Sequence, residues 1–108
     1  MDKYTNERVI KLLNEYLKKV NKKFKIDRAI LFGSRARGDW VFNSDVDLIL
    51  ISKDFKGVPF RKRMSEVIGY WDEYIDLEVI CYTPKEFNRL SKMVTIAKEA
   101  KERGIIIF

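Results

Sequence analysis

Three short apolar runs at residues 28–32, 45–51 and 75–82 are joined by connections of unequal length, and that inequality limits the fold sharply. Each run is too short for a buried helix and reads as a strand. Ten residues separate Ser34 from Asp45, fewer than the dozen or so that a crossover between parallel strands requires. The first two strands are therefore expected to be antiparallel neighbours. Between the second and third, Pro59 can open a helix carrying Phe60, Met64, Val67, Ile68 and Trp71 on one face, the usual right-handed crossover between parallel strands. The expected fold is α/β (α+β), a small mixed sheet flanked by helices.

The flanking segments fit this plan. Val9, Leu12, Leu13, Tyr16, Leu17 and Val20 recur at helical spacing behind a capping Thr5, which predicts an amphipathic first helix. Thr83-Pro84-Lys85-Glu86 has the form of a capping box with proline in the first turn, so one or two helices should follow and run to Arg103. Gly104 is expected to stop them, and residues 105–108 to form a last strand whose edge could pair between copies in a homo-oligomer. Tyr70, Trp71 and Tyr74 are read as the core face and exit of the middle helix.

With 108 residues the chain is expected to form one domain spanning 1–108, so any acceptor-recognition module should lie on another chain. Apolar residues make up 46% and charged residues 35%, a globular balance, and no apolar run approaches the ~20 residues of a membrane helix. The amino terminus lacks the basic-then-apolar layout of a signal peptide, and the chain reads as cytoplasmic. There is no histidine, which excludes Ser-His and Cys-His catalysis and leaves carboxylates as bases and ligands. Cys81, the one cysteine, lies in the apolar run Val79-Ile80-Cys81-Tyr82 and is expected to be a buried thiol. The net charge of +6 is spread over several segments, as solvated helix faces would spread it, and nucleic-acid binding is not excluded.

The informative stretch is Gly33-Ser34-Arg35-Ala36-Arg37-Gly38, followed after residues 39–43 by Ser44-Asp45-Val46-Asp47-Leu48. Residues two apart on a strand share a face at a spacing of about 6.5 Å, so Asp45 and Asp47 point the same way. Two such charges beside an apolar strand call for a cation or solvent. All-oxygen ligands favour Mg²⁺, with Mn²⁺ as the other candidate. The expected topology brings Ser34, Asp45, Asp47 and the start of the third strand, with Asp76 and Glu78, to one rim. Gly33 allows close backbone approach to phosphates, Ser34 offers a hydroxyl, and Arg35 and Arg37 offer positive charge to a leaving pyrophosphate. Ser44 could touch phosphate or cap a turn. Trp40 and Phe42 could stack on a base or partner, or pack over the sheet edge.

Gly-Ser, ten residues, then Asp-x-Asp resembles the signature of the polymerase-beta-like nucleotidyltransferase superfamily, and the flanking Arg-Ala-Arg-Gly-Asp and Asp-Val-Asp-Leu resemble its minimal nucleotidyltransferase branch. The likeness runs from Ile30 through Asp76-Leu77-Glu78-Val79 to Gly104-Ile105, departing at Trp40-Val41-Phe42, where relatives carry small, polar or proline residues. It implies two metal ions on Asp45 and Asp47, ATP as nucleoside triphosphate donor, and a third carboxylate that prepares the acceptor hydroxyl. Asp76 matches the third position and is expected to share one metal with Asp45 and Asp47, with Glu78 as the alternative. The resemblance also implies a separately encoded helical partner of the HEPN type, a toxin that such an antitoxin AMPylates on tyrosine. Two other readings stay open: a catalytically idle nucleotide-binding subunit that neutralises a partner by contact, and a transferase acting on RNA or a small molecule.

Overall fold

The computed structural model describes residues 5–38, 45–93 and 95–108. Helix α1 (Asn6–Val20) begins where the Thr5 hydroxyl accepts a hydrogen bond from the Arg8 N–H, and it buries Val9, Leu13, Tyr16, Leu17 and Val20 along one stripe. Strand β1 (Arg28–Phe32) is followed by a single helical turn, α2 (Ser34–Arg37), and then by β2 (Val46–Ile51). A 3₁₀ turn at Lys53–Phe55 leads to α3 (Phe60–Ile68), β3 (Leu77–Tyr82), α4 (Pro84–Leu90), α5 (Ile96–Arg103) and β4 (Ile105–Ile106).

The strands form one sheet in the order β3-β2-β1-β4. β1 runs antiparallel to β2 and to β4, while β2 and β3 are parallel. The short and long connections thus produce the pairings their lengths demand. One sheet face, with Leu31, Val46, Leu48, Leu50, Val79 and Cys81, packs on α1 and α3. Ile30, Ile49 and Ile51 point to the other face, under Phe87 of α4 and Ala97 and Ala100 of α5. Strands covered on both sides read as continuous apolar runs, which explains the lack of alternation in β2.

Three expectations need adjustment. Helix α3 ends at Ile68, and Trp71 lies beyond it. There Trp71 meets the Tyr16 ring edge-on, at 5.4 Å between centroids, and its indole N–H donates to the Ile75 carbonyl at 2.8 Å. Tyr74 is 98% exposed and belongs to no core. The last strand is regular only over Ile105 and Ile106, and beyond it the Ile107 N–H donates to the Ala29 carbonyl at 2.9 Å and the Ala29 N–H to the Phe108 carbonyl at 3.3 Å.

Polar side chains fasten the layers. The Tyr16 hydroxyl donates to the Val67 carbonyl at 2.7 Å, joining α1 to α3. The capping box at α4 is complete: the Glu86 N–H donates to the Thr83 hydroxyl at 3.1 Å, and the Thr83 N–H donates to the Glu86 carboxylate at 2.8 Å. That same carboxylate accepts both terminal nitrogens of buried Arg63, at 2.6 and 3.2 Å, while Arg63 also donates to the Val58 and Cys81 carbonyls. Arg63 therefore clamps α3, β3 and α4 together. An Arg63→Met variant should lose about 2–3 kcal/mol in urea unfolding, because two carbonyls and one carboxylate lose their donor together. Adding Glu86→Gln should restore part of that loss, since the stranded charge is then gone. Cys81 is buried, and desolvation pushes its thiol up to about 12, against a smaller downward pull from Arg63. It is an inert core thiol, as the sequence suggests.

Candidate active site

An open cavity of about 650 Å³ lies at the end of the sheet where β2 and β3 begin, on the face that α4 and α5 leave uncovered there. This volume falls within the ~300–1,000 Å³ of small-molecule sites. Its polar lining comes from Gly33, Ser34, Arg37, Asp45, Asp47, Glu78 and Glu99, and Phe32, Ile80 and Ile96 supply apolar walls.

Strand register explains the convergence. Phe32 pairs with Asp47 across the antiparallel ladder, and Asp47 pairs with Glu78 across the parallel one. Asp47 and Glu78 are thus level with each other on adjacent strands, with side chains on the same face. Gly33, one residue past β1, has φ +74° and ψ −152°, a backbone conformation open essentially to glycine alone. A Cβ at Gly33 would collide with the Asp47 carboxylate. The glycine therefore does two things: it turns the chain from β1 into α2, and it lets the main chain lie against the acidic pair.

The electrostatics of Asp47 follow from this crowding. Partial burial first, then a hydrogen bond to Glu78 and the charges of Glu78 and Asp45, push its carboxyl up to about 7, with Arg37 pulling the other way. The crowding disfavours the charged form of Asp47. Two carboxylates side by side cannot both ionise cheaply without a cation.

The structure treats the sequence candidates unequally. Gly33, Ser34, Arg37, Asp45 and Asp47 come together in the cavity. Arg35 does not line it: its side chain is buried, donating to the Asn6 side-chain Oδ1 at 3.2 Å, while the Asn6 side-chain Nδ2 donates to the Arg35 backbone carbonyl at 2.9 Å. Burial lowers the Arg35 pKa from its usual value. Asp76 precedes β3 with an exposed side chain, its carbonyl accepting the Val46 N–H at 2.8 Å, and it is not among the cavity's lining residues. Glu78 is. Ser44, Trp40 and Phe42 lie outside the described residues. Sequence reading missed Phe32, Ile80, Ile96 and Glu99. For the first two, strand alternation with Asp47 and Glu78 held the clue. Glu99 carries a long ion pair to Arg37 at 3.9 Å, which nothing in the local sequence announces.

The donor set suits a hard divalent cation. Mg²⁺ is commonly held by one or two carboxylates together with substrate phosphate oxygens, and Asp45 and Asp47 supply two carboxylates beside a phosphate-sized space. Among the described residues no three acidic or cysteine side chains gather as a metal-holding group. A complete coordination shell would therefore draw on triphosphate oxygens and water. Among the same residues, no helix is long and apolar enough to cross a membrane.

Known proteins resemble this chain in sequence and in fold. Residues 13–107 match the family model of the nucleotidyltransferase domain. Two proteins of Methanocaldococcus jannaschii, both provisionally named protein adenylyltransferases, are similar in sequence. One is 37% identical over 68 residues, covering 61% of this chain and 66% of the relative; the other is 30% identical over 84 residues, covering 78% and 83%. A crystal structure from Sulfolobus solfataricus, provisionally described as a nucleotidyltransferase, superposes with a TM-score of 0.72 at 24% identity, covering 94% of this chain and 81% of that one. A toxin-antitoxin structure with AMP-PNP gives a TM-score of 0.50 at 17% identity, covering 95% and 72%. At such identities the structural likenesses speak for the fold, and with the match along residues 13–107 they show that the chain belongs to the nucleotidyltransferase domain family, as a nucleotidyltransferase of the polymerase-beta-like fold.

Proposed function

We propose that this chain moves AMP from ATP to a hydroxyl of a partner protein, a tyrosine of a HEPN-type toxin, and so acts as the antitoxin of a toxin-antitoxin pair in the cytoplasm. The observation that carries the chemistry is the meeting of the Gly33-Ser34 turn with Asp45, Asp47 and Glu78 in one cavity. The protein acceptor is supported by the names of the two Methanocaldococcus jannaschii relatives, and the toxin and the adenine nucleotide by the toxin-antitoxin structure with AMP-PNP.

The roles follow from position. The Gly33-Ser34 turn and Arg37 receive the β- and γ-phosphates, and Phe32, Ile80 and Ile96 give the nucleoside an apolar wall. Asp45 and Asp47 would hold Mg²⁺, which offsets their repulsion and neutralises charge on the triphosphate. Glu78, level with Asp47, takes the proton of the acceptor hydroxyl. The hydroxyl oxygen then bonds to the α-phosphorus, the bond from that phosphorus to the bridging oxygen breaks, and pyrophosphate leaves.

Asp76 is the rival for the third carboxylate, and the two can be separated. Glu78→Gln should lower transfer by about 10²–10⁴-fold, the usual worth of a positioned general base. Asp76→Asn, outside the cavity, should stay within a few-fold of the unaltered chain. The reverse order of effects would return the role to Asp76. The whole reading is tested by incubating the chain with α-labelled ATP, Mg²⁺ and the product of the neighbouring gene. Label should reach a tyrosine of that product and vanish with Asp45→Asn. Label on no acceptor would favour an idle subunit that acts by contact.

A further inference from the structure

At the opposite end of the sheet from the acidic cavity, where β2 and β3 finish, lies a second trough of about 780 Å³. One strand length, ~20 Å, separates the two. One wall is α4 and the turn after it, bearing Lys85, Arg89 and Lys92; the other is the 3₁₀ turn and its exit, bearing Lys53 and Lys56. The floor holds Thr83, Pro84 and the Arg63–Glu86 pair, whose charges cancel.

The five wall cations are solvent-exposed, and among the described residues none of their side chains is engaged in an ion pair. The nearby acids Asp27 and Asp54 are turned to backbone, accepting the Lys53 and Lys25 N–H groups at 3.0 and 2.8 Å. The mounting is rigid. Arg63 and the capping box fix α4 against β3 and α3, and the Ser52 hydroxyl fixes the 3₁₀ turn by donating to the Lys25 carbonyl at 2.6 Å and accepting the Asp54 N–H at 3.0 Å. Two fixed cationic ridges facing one groove make a track for an extended polyanion.

Composition of the walls separates a nucleic acid from an acidic protein. Protein interfaces are depleted in lysine and anchored by aromatic residues. Here four of the five wall cations are lysine, and among the described residues no aromatic side chain lines the trough. Lysine-rich, anchor-free surfaces instead suit phosphates, which need charge and not shape. We infer that this trough is a binding surface for the phosphodiester backbone of a nucleic acid, independent of sequence and separate from the transfer site at the other rim.

The test is fluorescence anisotropy of the full chain with labelled single-stranded RNA, duplex RNA and duplex DNA from 50 to 200 mM salt. With about five phosphate contacts on a duplex, log affinity should fall against log salt with a slope near −4.5, roughly 500-fold over that range; on a single strand the slope should be near −3.5. The strand type that binds most tightly identifies the source of the backbone. Lys56→Gln/Arg89→Gln/Lys92→Gln should bring the duplex slope to about −2 and weaken binding at least tenfold at 50 mM salt. A second triple variant, Lys11→Gln/Lys19→Gln/Lys22→Gln on and beside α1, removes equal charge and should change binding less than threefold. Circular dichroism checks that both remain folded. The inference is overturned by absence of binding to all three nucleic acids, by equal losses in the two variants, or by displacement of bound nucleic acid by polyglutamate at equal charge concentration, which would assign the trough to an acidic protein.

Discussion

Asp47→Asn should lower nucleotidyl transfer by about three orders of magnitude, while making the metal-free protein more stable at pH 8. The first effect follows from losing a carboxylate that offsets charge on the triphosphate, worth several kcal/mol at ~1.4 kcal/mol per tenfold in rate. The second comes from the cost of ionising Asp47 in place. Its carboxyl is pushed up to about 7 in the folded chain, against about 3.9 when unfolded. Below pH 4 the group is protonated in both states and costs nothing. Between pH 4 and 7 the folded chain keeps a proton that the unfolded chain has released, so stability falls as pH rises, and above 7 the full penalty remains. Asparagine carries no charge at any of these values, and the variant should lose that part of the decline. Thermal unfolding in EDTA at pH 4.5 and 8 measures it. Adding Mg²⁺ and ATP should reverse the ranking, because only the unaltered chain gains a charge partner. A variant as active as the unaltered chain would remove Asp47 from the chemistry, and an unchanged pH response would remove the crowding of Asp47 against Glu78.

Opposed effects of this kind were partly legible before any fold was known. Gly33, Ser34, Asp45 and Asp47 could be grouped because one short connection forces β1 and β2 to be neighbours, and period two then places both aspartates on one face. The third carboxylate was harder. Alternation puts Asp76 and Glu78 on the same face, and only the closed sheet, pairing Asp47 with Glu78, brings Glu78 and not Asp76 into the cavity lining. The arginines show another limit. Two residues apart on a helical turn point in roughly opposite directions, so Arg35 and Arg37 cannot both face one cavity. Choosing between them requires knowing that Asn6, 29 positions earlier, waits to receive the first. The Arg63–Glu86 pair spans 23 positions, and no local spacing links the middle helix to the capping box that follows β3. Local spacing carries strand pairing and face; long-range partners of buried charges are set only when the layers close.

The tightest point of that closure gives the second large expectation, that Gly33→Ala should reduce transfer about 100-fold or more and destabilise the chain by roughly 1–3 kcal/mol. The stability loss has a backbone origin, since alanine at φ +74° and ψ −152° is strained whatever surrounds it. The activity loss has a different origin. The added methyl would occupy the place of the Asp47 carboxylate, so the side chain must swing away, and a displacement near 1 Å is enough for a hundredfold loss. The two causes can be separated by Gly38→Ala, which is strained by its positive φ of +92° but meets no atom of the described residues within 4 Å. That variant, in the left-handed region at ψ 3°, should lose about 1 kcal/mol of stability, measured in urea, with most of the transfer activity intact. Equal activity losses in the two would mean that strain in the α2 turn, and not contact with Asp47, governs the site. Retained activity in Gly33→Ala would mean that the carboxylate works from a position other than the one pressed against the turn.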